Sequence, residues 1–194
     1  MDRETELALV AALRDGSTAA FDAVHEAFQT PLYTFLLRLC RRREVAEDLL
    51  DETWLRLVKH ARRLRPDTRL AAWLFTVARR LHLSYVRSRV LEDSGVAGVM
   101  ALWPYGVERA SPFEAAAASE LQRRIERALA SLPLASREAL LLVAVAGLGQ
   151  ADAAAACGVS PEAFRQRLSR ARAALARALA DAPAGARVLT EVTP

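Results

Sequence analysis

Apolar residues recur at three- and four-residue steps along most of the chain, and no stretch alternates convincingly in the two-residue rhythm of a strand. Thr30-Pro31 reads as a cap followed by proline at the first helical position, opening a helix that runs to about Cys40. The next helix carries Val45, Leu49, Leu50, Trp54, Leu57 and Val58 on one face. A third begins near Thr68 and repeats Leu70, Trp73, Leu74, Val77, Leu81 and Tyr85 at helical spacing. From Val90 to Ser111 the pattern lapses into Gly95, Gly98, Pro104 and Gly106, which predicts a flexible linker. Its 22 residues reach at most about 75 Å at roughly 3.4 Å each, the rise of about 22 base pairs of duplex. Helical patterning resumes at Ser111-Pro112, runs to about Leu132 and stops at Pro133; a short helix follows from roughly Ser136 to Ala146 and ends at Gly147. No repeat of roughly 20–50 residues is visible, so a solenoid is not expected.

Gln150 to Leu175 holds the most local information. Gln150–Cys157 reads as a short helix, Gly158-Val159 as a tight turn, and Ser160-Pro161 as the cap and first residue of a longer helix. Glycine at position 158 lets the backbone turn left-handed without a steric penalty, and Ala154 is small enough for two helices to cross closely. This is the helix-turn-helix arrangement, whose second helix enters the DNA major groove. On that helix Phe164, Leu168, Ala171 and Leu175 form an apolar stripe. Arg165, Gln166, Ser169 and Arg170 then project from the other side, flanked by Arg167 and Arg172. Arginine suits guanine and glutamine suits adenine, while the flanking arginines suit phosphates.

Composition narrows the class. Of 194 residues 53% are hydrophobic and 26% charged, which is ordinary for a soluble globular chain. Alanine occurs 40 times and isoleucine once, and 26 of the 27 basic residues are arginine; alanine, leucine and arginine all favour helix. The fold class expected is all-α, two small helical domains joined by a flexible linker. The longest apolar run, Ala139 to Ala146, is far shorter than the roughly 20 residues of a membrane span. The charged start Met1-Asp2-Arg3-Glu4 is not read as a secretory signal, and a cytoplasmic protein without membrane insertion is expected. Cys40 and Cys157 show no metal spacing. His25, His60 and His82 form no metal pair, and no nucleophile or phosphate-loop motif is present. No metal, no cofactor and no enzymatic activity are therefore expected.

Charge is laid out in blocks. Residues 1–21 carry −2, residues 22–90 carry +6, residues 91–115 carry −3, residues 116–180 carry +4 and the remainder −1. Two basic blocks around an acidic strip suggest two modules that each meet a polyanion. Inside the first block, Glu47, Asp48, Asp51 and Glu52 form an acidic face opposite Leu49, Leu50 and Trp54. The helix from Arg69 to Arg89 is the reverse, with Arg69, Arg79, Arg80, Arg87 and Arg89 on its polar side and Arg62, Arg63 and Arg65 ahead of it. A basic helix with nearby aromatics can track single-stranded DNA and stack its bases.

Three strings then become recognisable. Ala46-Glu47-Asp48-Leu49-Leu50-Asp51-Glu52-Thr53-Trp54-Leu55 resembles the polymerase-clamp-binding segment of bacterial sigma factors of the extracytoplasmic-function type. Trp73-Leu74-Phe75-Thr76-Val77-Ala78-Arg79 resembles the segment that follows it in that family. Leu132-Pro133, Arg137-Glu138-Ala139-Leu140-Leu141, Gly147-Leu148 and Arg165-Gln166-Arg167-Leu168-Ser169-Arg170-Ala171-Arg172 resemble its second domain. The resemblance implies a transcription initiation factor that binds core RNA polymerase and promoter DNA, with an anti-sigma factor as a further partner. It implies a first domain over 1–90, a linker over 91–115, a second domain over 116–180 and a tail over 181–194. Core binding would fall to Asp48, Leu49, Asp51, Glu52 and Trp54. The −10 element would fall to Arg62, Arg63, Arg65, Arg79, Arg80 and Arg87, and the −35 element to Arg165, Gln166, Arg167, Ser169, Arg170 and Arg172. Arg80 stands where the family commonly has Asn, Ser84 where Asp is common, Ala153 where Ile is usual, and Pro161-Glu162-Ala163-Phe164 where Gly-Thr-Val is usual. These departures bear on which promoter sequences are read. The rival expectation is a helix-turn-helix regulator that never joins polymerase, and a third is a helical adaptor without DNA contact.

Overall fold

Side-chain caps start the first two helices: Asp2 accepts from the Thr5 N–H at 2.9 Å and Ser17 from the Ala20 N–H at 3.2 Å. The computed structural model describes residues 1–92 and 120–181, and its α-helices are α1 (Arg3–Arg14), α2 (Thr18–Cys40), α3 (Arg43–His60), α4 (Leu70–Glu92), α5 (Glu120–Ser131), α6 (Leu134–Ala144), α7 (Gln150–Cys157) and α8 (Pro161–Ala180). A short 3-10 turn, Ala61–Arg63, follows α3. No strand occurs among the described residues, and none of their helices is long and apolar enough to cross a membrane. Nor do they hold a cluster of His, Cys, Asp and Glu fit for a metal. The expected tail past Asp181, the expected helix start at Ser111-Pro112 and most of the expected linker lie outside the described residues. At its near end α4 continues to Glu92, past the expected break at Val90.

The helix expected to open at Thr30-Pro31 instead begins at Thr18, and Pro31 lies inside it. Proline removes one helical hydrogen bond, to the carbonyl of Ala27. The buried stripe of Ala20 and Val24 before it, and of Leu32, Phe35, Leu36 and Leu39 after it, outweighs that loss. Burying a large aliphatic or aromatic side chain contributes about 1.5–3 kcal/mol, and five such residues share one face with Ala20. Phe35 meets Phe75 of α4 edge to face, with centroids 5.2 Å apart and planes at 88°. The stripe of α3 runs through Ala46, Leu50, Thr53, Trp54 and Leu57. Val58, expected on this stripe, is 60% exposed, because it lies about 100° around the axis beyond Leu57.

In the second domain α6 is wrapped on several sides, by α8, α7 and α2, so Ala139, Leu140, Leu141 and Leu142 are all buried in succession. Gly147 ends it with a φ of 64°, and the Leu148 N–H reaches back to the Leu142 carbonyl at 3.0 Å. The two domains touch: α7 lies on α4, and α2 packs on α5 and α6.

His82 of α4 is buried in this contact, only 2% exposed. Burial, then the charges of Arg137 and Arg79, push its pKa down to about 4. The unfolded chain therefore binds a proton that the folded one refuses between an ordinary histidine value of about 6.5 and about 4. Stability from this group is fully present above about pH 6.5 and is lost as the pH falls through that window. In denaturant titrations His82→Gln is expected to show a shallower fall in stability across it than the wild type, by on the order of 2–3 kcal/mol.

Candidate functional site

Three surfaces carry the residues singled out by the sequence. On α3, Asp48 and Asp51 are exposed one turn apart. Glu47 accepts from Arg43 Nε at 2.9 Å and Glu52 from Arg56 Nε at 2.6 Å. The hydrogen bond from Arg56, more than the charges of Arg56 and Lys59, holds the Glu52 carboxyl below the usual range. Asp48 and Asp51 form no ion pair among the described residues, so their charge is free to meet a basic partner. Leu49 is partly buried against the core, while Leu55 and Val58 of the same helix are exposed apolar groups. Trp54 is placed inside. Its indole N–H donates to Gln29 Oε1 at 2.8 Å, its ring meets Phe21 edge-on at 6.0 Å, and His25 lies 4.7 Å away. Trp54 thus fastens α3 to α2 and supports the acidic face from beneath.

A groove of about 320 Å³ opens between α3 and α4, lined by Arg56, His60, Trp73, Val77, Arg80, Leu81 and Ser84. Spacing explains it: Arg56 and His60 are one turn apart on α3, and Trp73, Val77, Arg80 and Ser84 climb one face of α4. Of the arginines expected at the −10 element, Arg62, Arg63, Arg65, Arg80 and Arg87 are exposed, and Arg80 enters the groove. Arg65 is already engaged by Asp67 at 3.1 Å. Arg79 points elsewhere: its guanidinium is buried against the second domain on Glu138 and the Ala156 carbonyl, each at 3.2 Å. Sequence reasoning missed Arg56 and His60, for which the only cue was their four-residue spacing at the end of an otherwise acidic helix.

The third surface follows its expectation closely. Gly158 caps α7 with a φ of 67°, and Ser160 accepts from the Ala163 N–H at 3.2 Å to start α8 at Pro161. Phe164, Leu168 and Ala171 are buried, and Arg165, Gln166, Ser169, Arg170 and Arg172 are exposed. Arg167 is partly buried and turns back toward Cys157. Glu162, in the first turn, pairs with Arg165 and accepts from Gln166 Nε2 at 3.3 Å. These hydrogen bonds, that of Arg165 first, hold its carboxyl below the usual range.

An acidic helix face, a basic groove and an arginine-bearing helix-turn-helix thus stand in one chain. Comparison with known proteins places them. Sigma-70 region 2 matches residues 24–91, and Sigma-70 region 4 matches residues 122–175. The chain belongs to the ECF RNA polymerase sigma factors. It is 34% identical over 148 residues to the ECF RNA polymerase sigma factor EcfG of Rhodopseudomonas palustris, covering 76% of this chain and 78% of that one. With SigC of Mycobacterium tuberculosis it shares 33% identity over 184 residues, 93% of each chain. Its fold resembles that of the sigma factor RpoE from Bartonella quintana, crystallised with the anti-sigma factor NepR. That match has a TM-score of 0.70 and 27% identity, and covers 84% of this chain and 98% of the other. This sigma factor is accordingly a transcription initiation factor, which directs core RNA polymerase to promoters.

Reversing the two free carboxylates of the sigma factor, Asp48→Arg with Asp51→Arg, is expected to weaken core-polymerase binding by a factor of about ten or more. Both sites are exposed, so the melting free energy should move by under about 0.5 kcal/mol. Trp54→Ala, by contrast, removes a buried indole and should cost the fold about 3–5 kcal/mol. Competition binding to core polymerase and chemical denaturation of both variants check the pair of outcomes.

Proposed function

We propose that the first domain, residues 1–90, docks on the polymerase clamp through the α3 face centred on Asp48 and Asp51, with Glu52 and the edge of Leu49 beside them. The same domain takes the opened −10 strand along Arg62, Arg63, Arg65, Arg80 and Arg87, and the groove between α3 and α4 receives an unstacked base against Trp73. Aromatic stacking and guanidinium contacts to the backbone are the usual means of holding single strands. The second domain, residues 116–180, reads the −35 duplex with Arg165, Gln166, Ser169 and Arg170, while Arg167 and Arg172 hold phosphates. Residues 91–115 link the two domains and 181–194 form the tail. The chain acts in the cytoplasm without cofactor and catalyses no step itself, and an anti-sigma factor is a further partner. The observation that carries this reading is the pairing, in one chain, of an uncommitted acidic face with an exposed arginine-bearing recognition helix. A regulator that never joins polymerase has use for only the second.

Arg165 comes first along α8, where side chains reach base edges most readily. Arg165→Ala is expected to cost about 1–3 kcal/mol on the preferred −35 duplex and to relax preference at one base pair. Arg172→Ala should weaken all sequences alike and lower the log–log salt slope by about one. Titration of both variants in the polymerase complex, with matched and mismatched duplexes at several salt concentrations, decides the assignment. Uniform loss for Arg165→Ala would place the reading face elsewhere.

A further inference from the structure

The outward face of α8 carries a carboxylate at its centre. Measured around the axis from the buried Phe164 at roughly 100° per residue, Arg165 lies at about 100°, Ser169 at about 140°, Glu162 at about 160° and Gln166 at about 200°. Glu162 thus stands between the guanidinium and the amide that face the same way, and its side chain is 60% exposed. Its Oε2 pairs with Arg165, and its Oε1 accepts from Gln166 Nε2 at 3.3 Å. Arg165 first, then Gln166, hold the carboxyl below the usual range, so it offers acceptors and no donor. The Gly-Thr-Val entry usual in the family has no carboxylate where this chain has Pro161-Glu162-Ala163-Phe164. A carboxylate carried out of water against DNA is costly unless something donates to it.

Resting on the reading of α8 as the helix that enters the −35 major groove, we propose that Glu162 is a specificity-determining residue: with Arg165 it reads one G·C base pair, taking the cytosine amino group while Arg165 takes the guanine. The major-groove edge of that pair presents two acceptors, guanine N7 and O6, and then one donor, the N4 amino group of cytosine. Arg165 turned to N7 and O6 leaves Glu162 Oε2 without its cation. The amino group beside O6, on the opposite strand, gives that oxygen a donor again. Other bases serve the carboxylate worse. Guanine and thymine O4 meet it with acceptors alone, and adenine sets its N7 acceptor beside its N6 donor. A C·G pair presents the same groups in reverse order, so the strand that holds the guanine is selected as well.

The test uses polymerase carrying the full chain, and promoter duplexes altered at the base pair whose preference Arg165→Ala relaxes. In one duplex the cytosine of that pair is replaced by pyrimidin-2-one, which lacks the amino group and leaves the guanine edge intact. The wild type is expected to bind this duplex about five- to tenfold more weakly than the unmodified one, the effect of a single lost base contact. Glu162→Ala, an exposed change whose helix content is checked by circular dichroism, is expected to bind both duplexes alike. No loss in the wild type overturns the proposal and leaves Glu162 as a support for Arg165. Equal loss in the wild type and in Glu162→Ala traces the effect to the duplex and overturns it too, as does a preferred pair other than G·C at that position. If Arg165→Ala instead weakens all sequences uniformly, the reading face of α8 is wrong, and the assignment of Glu162 falls with it.

Discussion

One buried guanidinium holds the architecture together. Arg137 donates from Nε to the Leu129 carbonyl at 3.0 Å and from Nη2 to the Ala130 and Leu132 carbonyls, both at 3.0 Å. Its Nη1 reaches the Leu39 carbonyl at 3.4 Å. These acceptors lie where α5 and α2 end, and the last carbonyls of a helix have no partner within it. A cation there answers both the orphaned oxygens and the negative end of the helix dipole. Burial lowers the Arg137 pKa, yet arginine remains charged in proteins, so the bond set persists at any working pH. A lysine carries three donors on a single atom and could not supply the four hydrogen bonds that Arg137 makes at these two helix ends.

The neighbouring residue turns this suture into an electrostatic cluster. Glu138 follows Arg137 on α6, about 100° further around the axis, and so faces α4 while Arg137 faces the ends of α5 and α2. Arg79, paired with Glu138, and Arg137 place two cations near His82. Burial first, and these two positive charges second, keep the imidazole neutral. The apolar interior is continuous on both sides of this cluster, from Phe35 and Phe75 to Leu142 and Phe164, and it supplies the burial that offsets desolvating the charges.

Much of this was legible in the chain, unevenly and for physical reasons. The helix-turn-helix could be read almost to the residue because Gly158, Ser160 and Pro161 each act on the backbone within one turn of their own position. Thr30-Pro31 has the same local grammar and misled, because the buried stripe from Ala20 to Leu39 overrides one missing N–H. Val58 looked apolar and therefore internal, but which side of a helix is covered depends on the neighbours it meets. The acidic face of α3 was visible as a pattern, whereas the inward turn of Trp54 beneath it depends on Gln29, 25 residues away. Arg79 was indistinguishable from Arg80 by type and position. Only the return of Glu138, 59 residues later, separates an arginine held inside the fold from one left in the groove.

The pair formed by Glu162 and Arg165 at the start of the recognition helix bears on how the factor finds its target. A chromosome presents roughly 10⁶–10⁹ wrong sites for each right one, and a bare arginine would linger on the phosphates of all of them. With its guanidinium already engaged by a carboxylate one turn away, Arg165 gains less from an arbitrary phosphate. On the proposed reading of α8, it would trade that partner fully only for a base edge able to take both of its donors. The exposed pair adds little to stability; on that reading, what it would shorten is the time spent at sites that do not matter.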